Sequence, residues 1–275
     1  MNEFFNPIDP LPKVWDPNAR ICEMLKGKRG LVVGIANEHS IAFGSAAKLR
    51  AFGAELAITY LNEKAKPYVQ PLGEHIQASF MMPLDIEKPG EAEAVFDRIK
   101  REWGRLDFLI HSIAFAPKDD LHGRVIDCSL QGFQQAMRVS CYSFIELARL
   151  AEPLMTEGGA ILTMSYYGAD KVVNHYNVMG PVKAALEATV RYLSAELGGK
   201  DIRVYAVSPG PLKTRASSGI DAFDELVQAA VTRSPEHRLV DIAEVGRVVA
   251  FLVGGAASGM TGDTIFVDGG LHIVA

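Results

Sequence analysis

From Gly30 onward the chain alternates short apolar runs with longer amphipathic stretches, and this alternation restricts the fold more than any other feature. RGLVVG, AELAITY and LDFLIHSIA read as strands. HIQASFMMPLD contains another, and GAILTMS, IRVYAVSPG and GDTIFVDGG complete the set. Between them, SIAFGSAAKLRAFG and EAEAVFDRIKREWG read as helices. Long helices are expected over about 130–154 and from Tyr176 to Leu197, and a shorter one over DIAEVGRVVAFLV. Strands this uniformly apolar must be covered on both faces, and strand–helix alternation builds parallel sheets from βαβ units. The expected fold class is α/β: a single doubly wound parallel sheet of about seven strands with helices on both faces. One domain over 28–275 follows an irregular arm at 1–27, with an insertion at about 215–235.

Composition narrows function by exclusion. The 275 residues are 48% hydrophobic and 22% charged, enough to bury a full core. A net charge of -5 argues against a nucleic-acid binder, which presents a basic face. No apolar run reaches the roughly 18 residues of a membrane span. The opening MNEFFNPIDPLPKVWDPNAR lacks a secretory apolar segment and is broken by four prolines. Its Phe4, Phe5 and Trp15 could pack the arm onto the body or a neighbouring subunit. Cys22, Cys128 and Cys141 form no C-x-x-C, which fits a reducing cytoplasm and packing roles. The His residues show no ligand spacing, so no metal is expected.

A doubly wound sheet binds a dinucleotide at the carboxyl ends of its strands, with the pyrophosphate at the first helix N-terminus. In the first turn, GIANEHSIAFG, Gly34 can supply the tight bend, and Ser40 can cap the helix. Ser40 and Ile41 can offer N–H groups to phosphate, and Ala42 and Gly44 are small enough for close approach. This is not G-x-G-x-x-G, and an ordinary capped βα turn would read the same way. Where an acid would hold the ribose 2′-hydroxyl and a base a 2′-phosphate, the second strand ends in Tyr60, Leu61 and Asn62. The missing base favours NADH over NADPH. Asp85, after the third strand, could accept from an adenine amino group or serve as a helix N-cap or turn residue.

SYYGADKVVNHYNVMGPVK offers two tyrosine–lysine pairs, Tyr167 with Lys171 and Tyr176 with Lys183. Both spacings keep two side chains near one helical face. YGADKVVNH carries no helical apolar stripe and reads as a loop. Tyr176 and Lys183 open a segment striped by Val182, Leu186, Val190 and Leu193. A rigid helix holds a catalytic pair better than a loop does. A helix-end aromatic and a solvated lysine would show the same pattern.

In combination these motifs resemble the short-chain dehydrogenase/reductase superfamily, and within it the divergent enoyl-[acyl-carrier-protein] reductases. The resemblance runs from about Gly27 to the C-terminus. It rests on Gly34-x5-Ser40-Ile41-Ala42-x-Gly44, HSIAFAP from His111, Tyr176-x6-Lys183, SPGPLKT from Ser208, and GMTGDTIFVDGG. It implies a Rossmann-type fold and a cytoplasmic homotetramer that uses NADH, with NADPH the less favoured coenzyme. The implied reaction is reduction of the C2–C3 double bond of an enoyl chain on acyl carrier protein. Tyr176 would sit near the thioester carbonyl, Lys183 would hold the nicotinamide ribose, and Tyr166 matches a second active-site tyrosine. Gly34, Ser40, Ile41, Asp85, Ile86, Ile113, Leu212, Lys213, Thr214, Arg215 and Ala216 match cofactor contacts. Ala116 matches a substrate-pocket position, while Tyr167 and Lys171 match nothing functional. Leu61 departs from the family's polar or basic ribose contact, and the Pro-rich arm is longer than usual.

On this reading the enolate formed at the thioester oxygen is stabilised by the Tyr176 hydroxyl. Ile220, Phe223, Leu226 and Val227 form a rough helical stripe, either core-facing or a helical substrate lid in which Phe223 meets the acyl chain. Lys213, Arg215 and Arg233 could meet an acidic carrier protein.

Overall fold

The computed structural model describes residues 24–214 and 223–274. Most of the expected arm and residues 215–222, with Arg215, Ala216 and Ile220, lie outside the described residues.

The expected strands form as β1 (Arg29–Val33), β2 (Glu55–Tyr60), β3 (Phe80–Pro83), β4 (Phe108–His111), β5 (Gly159–Met164), β6 (Ile202–Pro209) and β7 (Thr264–Val267). They make one seven-stranded sheet in the order β3-β2-β1-β4-β5-β6-β7. Every pairing is parallel. Successive side chains on a strand point to opposite faces, so a parallel sheet needs two cores. Leu31 and Val33 face one, with α3 (Glu91–Trp103), α6 (Ser143–Ala151) and α7 (Met179–Leu197). Val32 faces the other, with α1 (Ile41–Ala51) and α9 (Ile242–Val253). Fully buried side chains such as Phe144, Leu49 and Leu186 each contribute on the order of 2 kcal/mol relative to exposure.

The order reverses at β1, whose neighbours are β2 and β4, and a crevice opens there above the strand ends. Helix α1 points its N-terminus at this crevice, and α9 holds it in place. A β-carbon on Gly44 would lie 2.4 Å from the Ile242 carbonyl, and one on Gly246 would lie 2.4 Å from the Gly44 carbonyl. Gly44 therefore serves helix–helix contact with α9. The start of α9 is fixed by reciprocal bonds between Asp241 and Glu244, a capping box.

Several helices differ from the expected pattern. A helix, α2 (Lys66–His75), fills a stretch where none was expected. Pro67, Pro71 and Gly73 interrupt its pattern, but Gly73 lets it lie close to Met81 of β3, where a β-carbon would meet the sulfur at 2.5 Å. A short α4 (Lys118–Leu121) follows β4. The long helix expected over 130–154 is α5 (Leu130–Met137), a π-helical turn at Arg138–Tyr142, and α6, ending in a 3-10 turn. The wide turn coincides with a contact to a distant segment. Ser140 Oγ accepts from the Phe115 N–H at 2.9 Å and donates to the Phe115 carbonyl at 3.0 Å. Helix α7 begins at Met179, so Tyr176 is not on it. His175 and Asn177 have φ of 63° and 44°, a turn no helix accommodates. The described part of the insertion is α8 (Phe223–Arg233).

Candidate active site

The crevice is lined from the ends of β5 and β6, the chain after β4, and helices α1, α4, α7 and α8. At the end of β1, Gly34 has φ 104°, and a β-carbon there would sit 2.1 Å from the Ser112 carbonyl. Only glycine lets β1 and the chain after β4 meet so closely. Ser40 does not cap α1 with its side chain. Its hydroxyl turns back and accepts from the Ala36 and Asn37 N–H groups, both at 3.0 Å, while its own N–H donates to the Asn37 carbonyl. The N–H groups left open at the start of α1 are those of Ile41 and the next residues, which have no intrahelical acceptor. Ile41 lines the crevice.

At the end of β2, Leu61 is exposed and Tyr60 donates to Glu63 Oε1 at 3.1 Å. An acid not singled out in the sequence thus stands beside the strand end. Asp85 does not cap a helix, since α3 is capped by Gly90. Its carboxylate accepts from the Glu87 N–H, and its N–H donates to Glu91. Ile86 is buried, and its carbonyl takes Arg138 Nη2 at 2.7 Å. Asp85 and Ile86 lie outside the lining of the central crevice, as do Gly34, Ser40 and Lys213. Lys213 pairs with Asp224 at 3.0 Å, both exposed.

His111 ends β4 fully buried, its ring nitrogens 2.8 Å from Thr163 Oγ1 and 2.7 Å from Ser143 Oγ. Ser143 donates its proton to the Val139 carbonyl, so it accepts from Nε2–H, and Nδ1 accepts from Thr163. This assigns one neutral tautomer. Burial first, then the charge of Lys183, lowers the imidazole to about 3. The ring ties β4, β5 and α6 together directly beneath Ser112 and Ile113, which line the crevice.

The two expected tyrosines and the lysine come together after β5. Tyr176 and Lys183 are 7% and 5% exposed. Lys183 Nζ donates to the Met164 carbonyl at 2.7 Å. Tyr166 meets Tyr176 edge to face, with centroids 4.8 Å apart, and Tyr167 meets the other side of Tyr166 at 4.8 Å. Gly168 permits this stack, because a β-carbon there would lie 2.5 Å from Tyr176 Cδ1. The Tyr166 hydroxyl is buried without a hydrogen-bond partner among the described residues. Burial pushes both tyrosine hydroxyls well above their ordinary range, so they remain protonated donors. Burial lowers Lys183 to about 8, against the upward pull of Cys141 and Glu187. Lys171 lies apart from this group, and its ammonium donates to the His272 carbonyl at 2.5 Å.

Ile113, Ala116, Leu212 and Thr214 line the crevice, and Phe223 and Leu226 of α8 close one side. The result is a largely apolar cleft into which Tyr166, Tyr176 and Lys183 converge beside Ser112, Ser165 and Thr214.

The family model described as Enoyl-(Acyl carrier protein) reductase matches residues 34–272. The chain belongs to this family. Among curated relatives, the enoyl-[acyl-carrier-protein] reductase [NADH] FabI of Rickettsia felis is 45% identical over 91% of this chain and 96% of its own. The corresponding reductase of Nostoc is 45% identical over 91% of this chain and 98% of its own. Among solved structures, the enoyl-(acyl-carrier-protein) reductase of Anaplasma phagocytophilum in complex with NAD superposes with a TM-score of 0.89. It is 46% identical, covering 93% of this chain and 98% of that one. For this family member, sequence reasoning alone did not find Ser165, Glu187, His111 or Gly168. Each matters through a contact formed only in the fold; His111 opens HSIAFAP, and Ser165 and Gly168 lie in SYYGADKVVNHYNVMGPVK, but no spacing within those motifs marks the contact.

Proposed function

We propose that the protein is an NADH-dependent enoyl-[acyl-carrier-protein] reductase of fatty-acid synthesis, reducing the trans-2 double bond of the carrier-bound chain. The observation that carries the residue roles is the burial of Tyr176, Lys183 and the unpartnered Tyr166 hydroxyl around one apolar cleft. The chain's own features fit a dinucleotide. Helix α1 presents N–H groups without intrahelical acceptors, and Gly34 keeps the strand ends close. The Lys183 ammonium stands where a ribose could be held, and Glu63 beside β2 suits an unphosphorylated ribose. Bound NADH supplies the reducing hydride to C3 of the substrate.

Reduction at C3 drives negative charge onto the thioester oxygen, and a proton from solvent delivered to C2 then collapses the enolate to the saturated thioester. The Tyr176 hydroxyl, kept protonated by burial, donates to that oxygen and gains strength as its charge grows. Lys183 holds the ribose and adds positive charge nearby. Tyr166 braces the Tyr176 ring and offers its hydroxyl to the pocket. Ala116 and Phe223 bound the acyl chain, with α8 as a lid. The family's carrier protein brings the substrate. We assign the protein to the cytoplasm and to a homotetramer; self-association is supported by exposed Leu130, Tyr142, Ile145 and Tyr192 along α5–α7.

The test is NADH oxidation with a crotonyl thioester against an acetoacetyl thioester. Turnover of the first alone is expected. Turnover of the second alone would make the protein a carbonyl reductase.

A further inference from the structure

Lys183 is 5% exposed, and among the described residues its ammonium has one acceptor, the Met164 carbonyl. A single carbonyl compensates a buried ammonium poorly. The groups around it come from several elements. His111 feels its charge from β4, and Cys141 acts on it from the π-helical turn ahead of Glu187. Tyr176 shares its cleft from the turn before α7. Asp268, after β7, acts on Tyr166 and not on the lysine. Among the described residues, Glu187 is the only carboxylate that acts on Lys183.

Glu187 lies one turn beyond Lys183 on α7, on the same helical face. It makes no direct ion pair with the lysine. Its Oε1 instead accepts from Ser165 Oγ at 2.5 Å. Ser165 directly follows Met164, so the end of β5 gives the lysine its acceptor and the glutamate its donor. The four residues close a ring between β5 and α7.

We propose that Glu187, locked by Ser165, is a positioning residue that keeps the Lys183 ammonium charged and seated against β5 while that lysine holds the cofactor. The inference rests on Lys183 being the cofactor-holding lysine. Such a counter-charge would matter most where the buried ammonium is closest to losing its proton, at mildly alkaline pH.

Glu187→Gln keeps the shape and an acceptor for Ser165 but removes the charge. NADH affinity by fluorescence and kcat/KM for NADH are measured across the neutral to alkaline range. The alkaline limb is expected to move down by about one pH unit in Glu187→Gln. Ser165→Ala should move it in the same direction by less. In a Lys183→Arg background, where the guanidinium does not titrate, Glu187→Gln should cause no shift. A limb coincident with wild type would overturn the proposal. So would an activity loss equal at every pH, which would mark Glu187 as a packing residue. If Glu187→Gln does not fold, Ser165→Ala decides by the same outcomes. Failure of the functional reading looks different: the wild type would not oxidise NADH with crotonyl thioester, while the binding limb could still be read.

Discussion

Tyr167 with Lys171 and Tyr176 with Lys183 occupy one short segment in opposite surroundings. The first pair lies in a 3-10 turn and its exit, with Lys171 exposed and bonded to the His272 carbonyl of the C-terminal turn. The second pair is almost wholly buried beside the cleft. Residue types are the same, and burial separates their chemistry. A buried tyrosine stays a donor at any physiological pH, and its bond to a growing charge is stronger where water is excluded. A buried lysine is drawn toward neutrality, to about 8, so its charge depends on its neighbours. Exposed Lys171 links the loop bearing Tyr166 to the C-terminal turn, where His272 bonds Asp268 and stacks on Phe266.

This contrast can be broken or sharpened by measurement. Tyr176→Phe should lower kcat by about two orders of magnitude while NADH affinity stays within about twofold. A kcat near wild type would remove the hydroxyl from the mechanism. Lys183→Ala should weaken NADH binding by more than about tenfold, read by fluorescence titration. Gly168→Ala forces a β-carbon toward the Tyr176 ring and should cost about tenfold in kcat with a smaller change in NADH affinity. Lys183 is charged below about pH 8 and loses its proton as pH rises through that value. NADH affinity should therefore decline above about pH 8 and hold steady below it, and this dependence should vanish in Lys183→Ala. Lys171→Ala should change kcat/KM by less than about twofold, since its bond is at the surface. Equal losses in Lys171→Ala and Lys183→Ala would end the distinction between the pairs.

Much of the fold was legible because strand burial leaves a mark in the chain. RGLVVG and GAILTMS are apolar throughout, which a two-sided parallel sheet demands, and both became strands. Helix α2 was illegible because prolines and a glycine mask its pattern, and packing against β3 overrides propensity. The π-helical turn was illegible because the contact that accompanies it, Ser140 bonding Phe115, joins residues far apart in the chain. Tyr176 was expected on a helix and stands in a turn before it, held by ring stacking with Tyr166 and by the space Gly168 leaves. Ser40 was expected to cap α1, but its hydroxyl satisfies two N–H groups of the preceding turn instead.

The sequence by itself determined the parallel α/β sheet and offered Tyr176 with Lys183 as one of two candidate pairs. These are properties of local pattern and spacing. Tertiary structure alone decided which lysine loses its water, which tautomer His111 takes, and which carboxylate stands near the buried ammonium. Desolvation and hydrogen-bond partnership depend on what other elements bring within a few ångströms, and that is settled only when the sheet and its helices close.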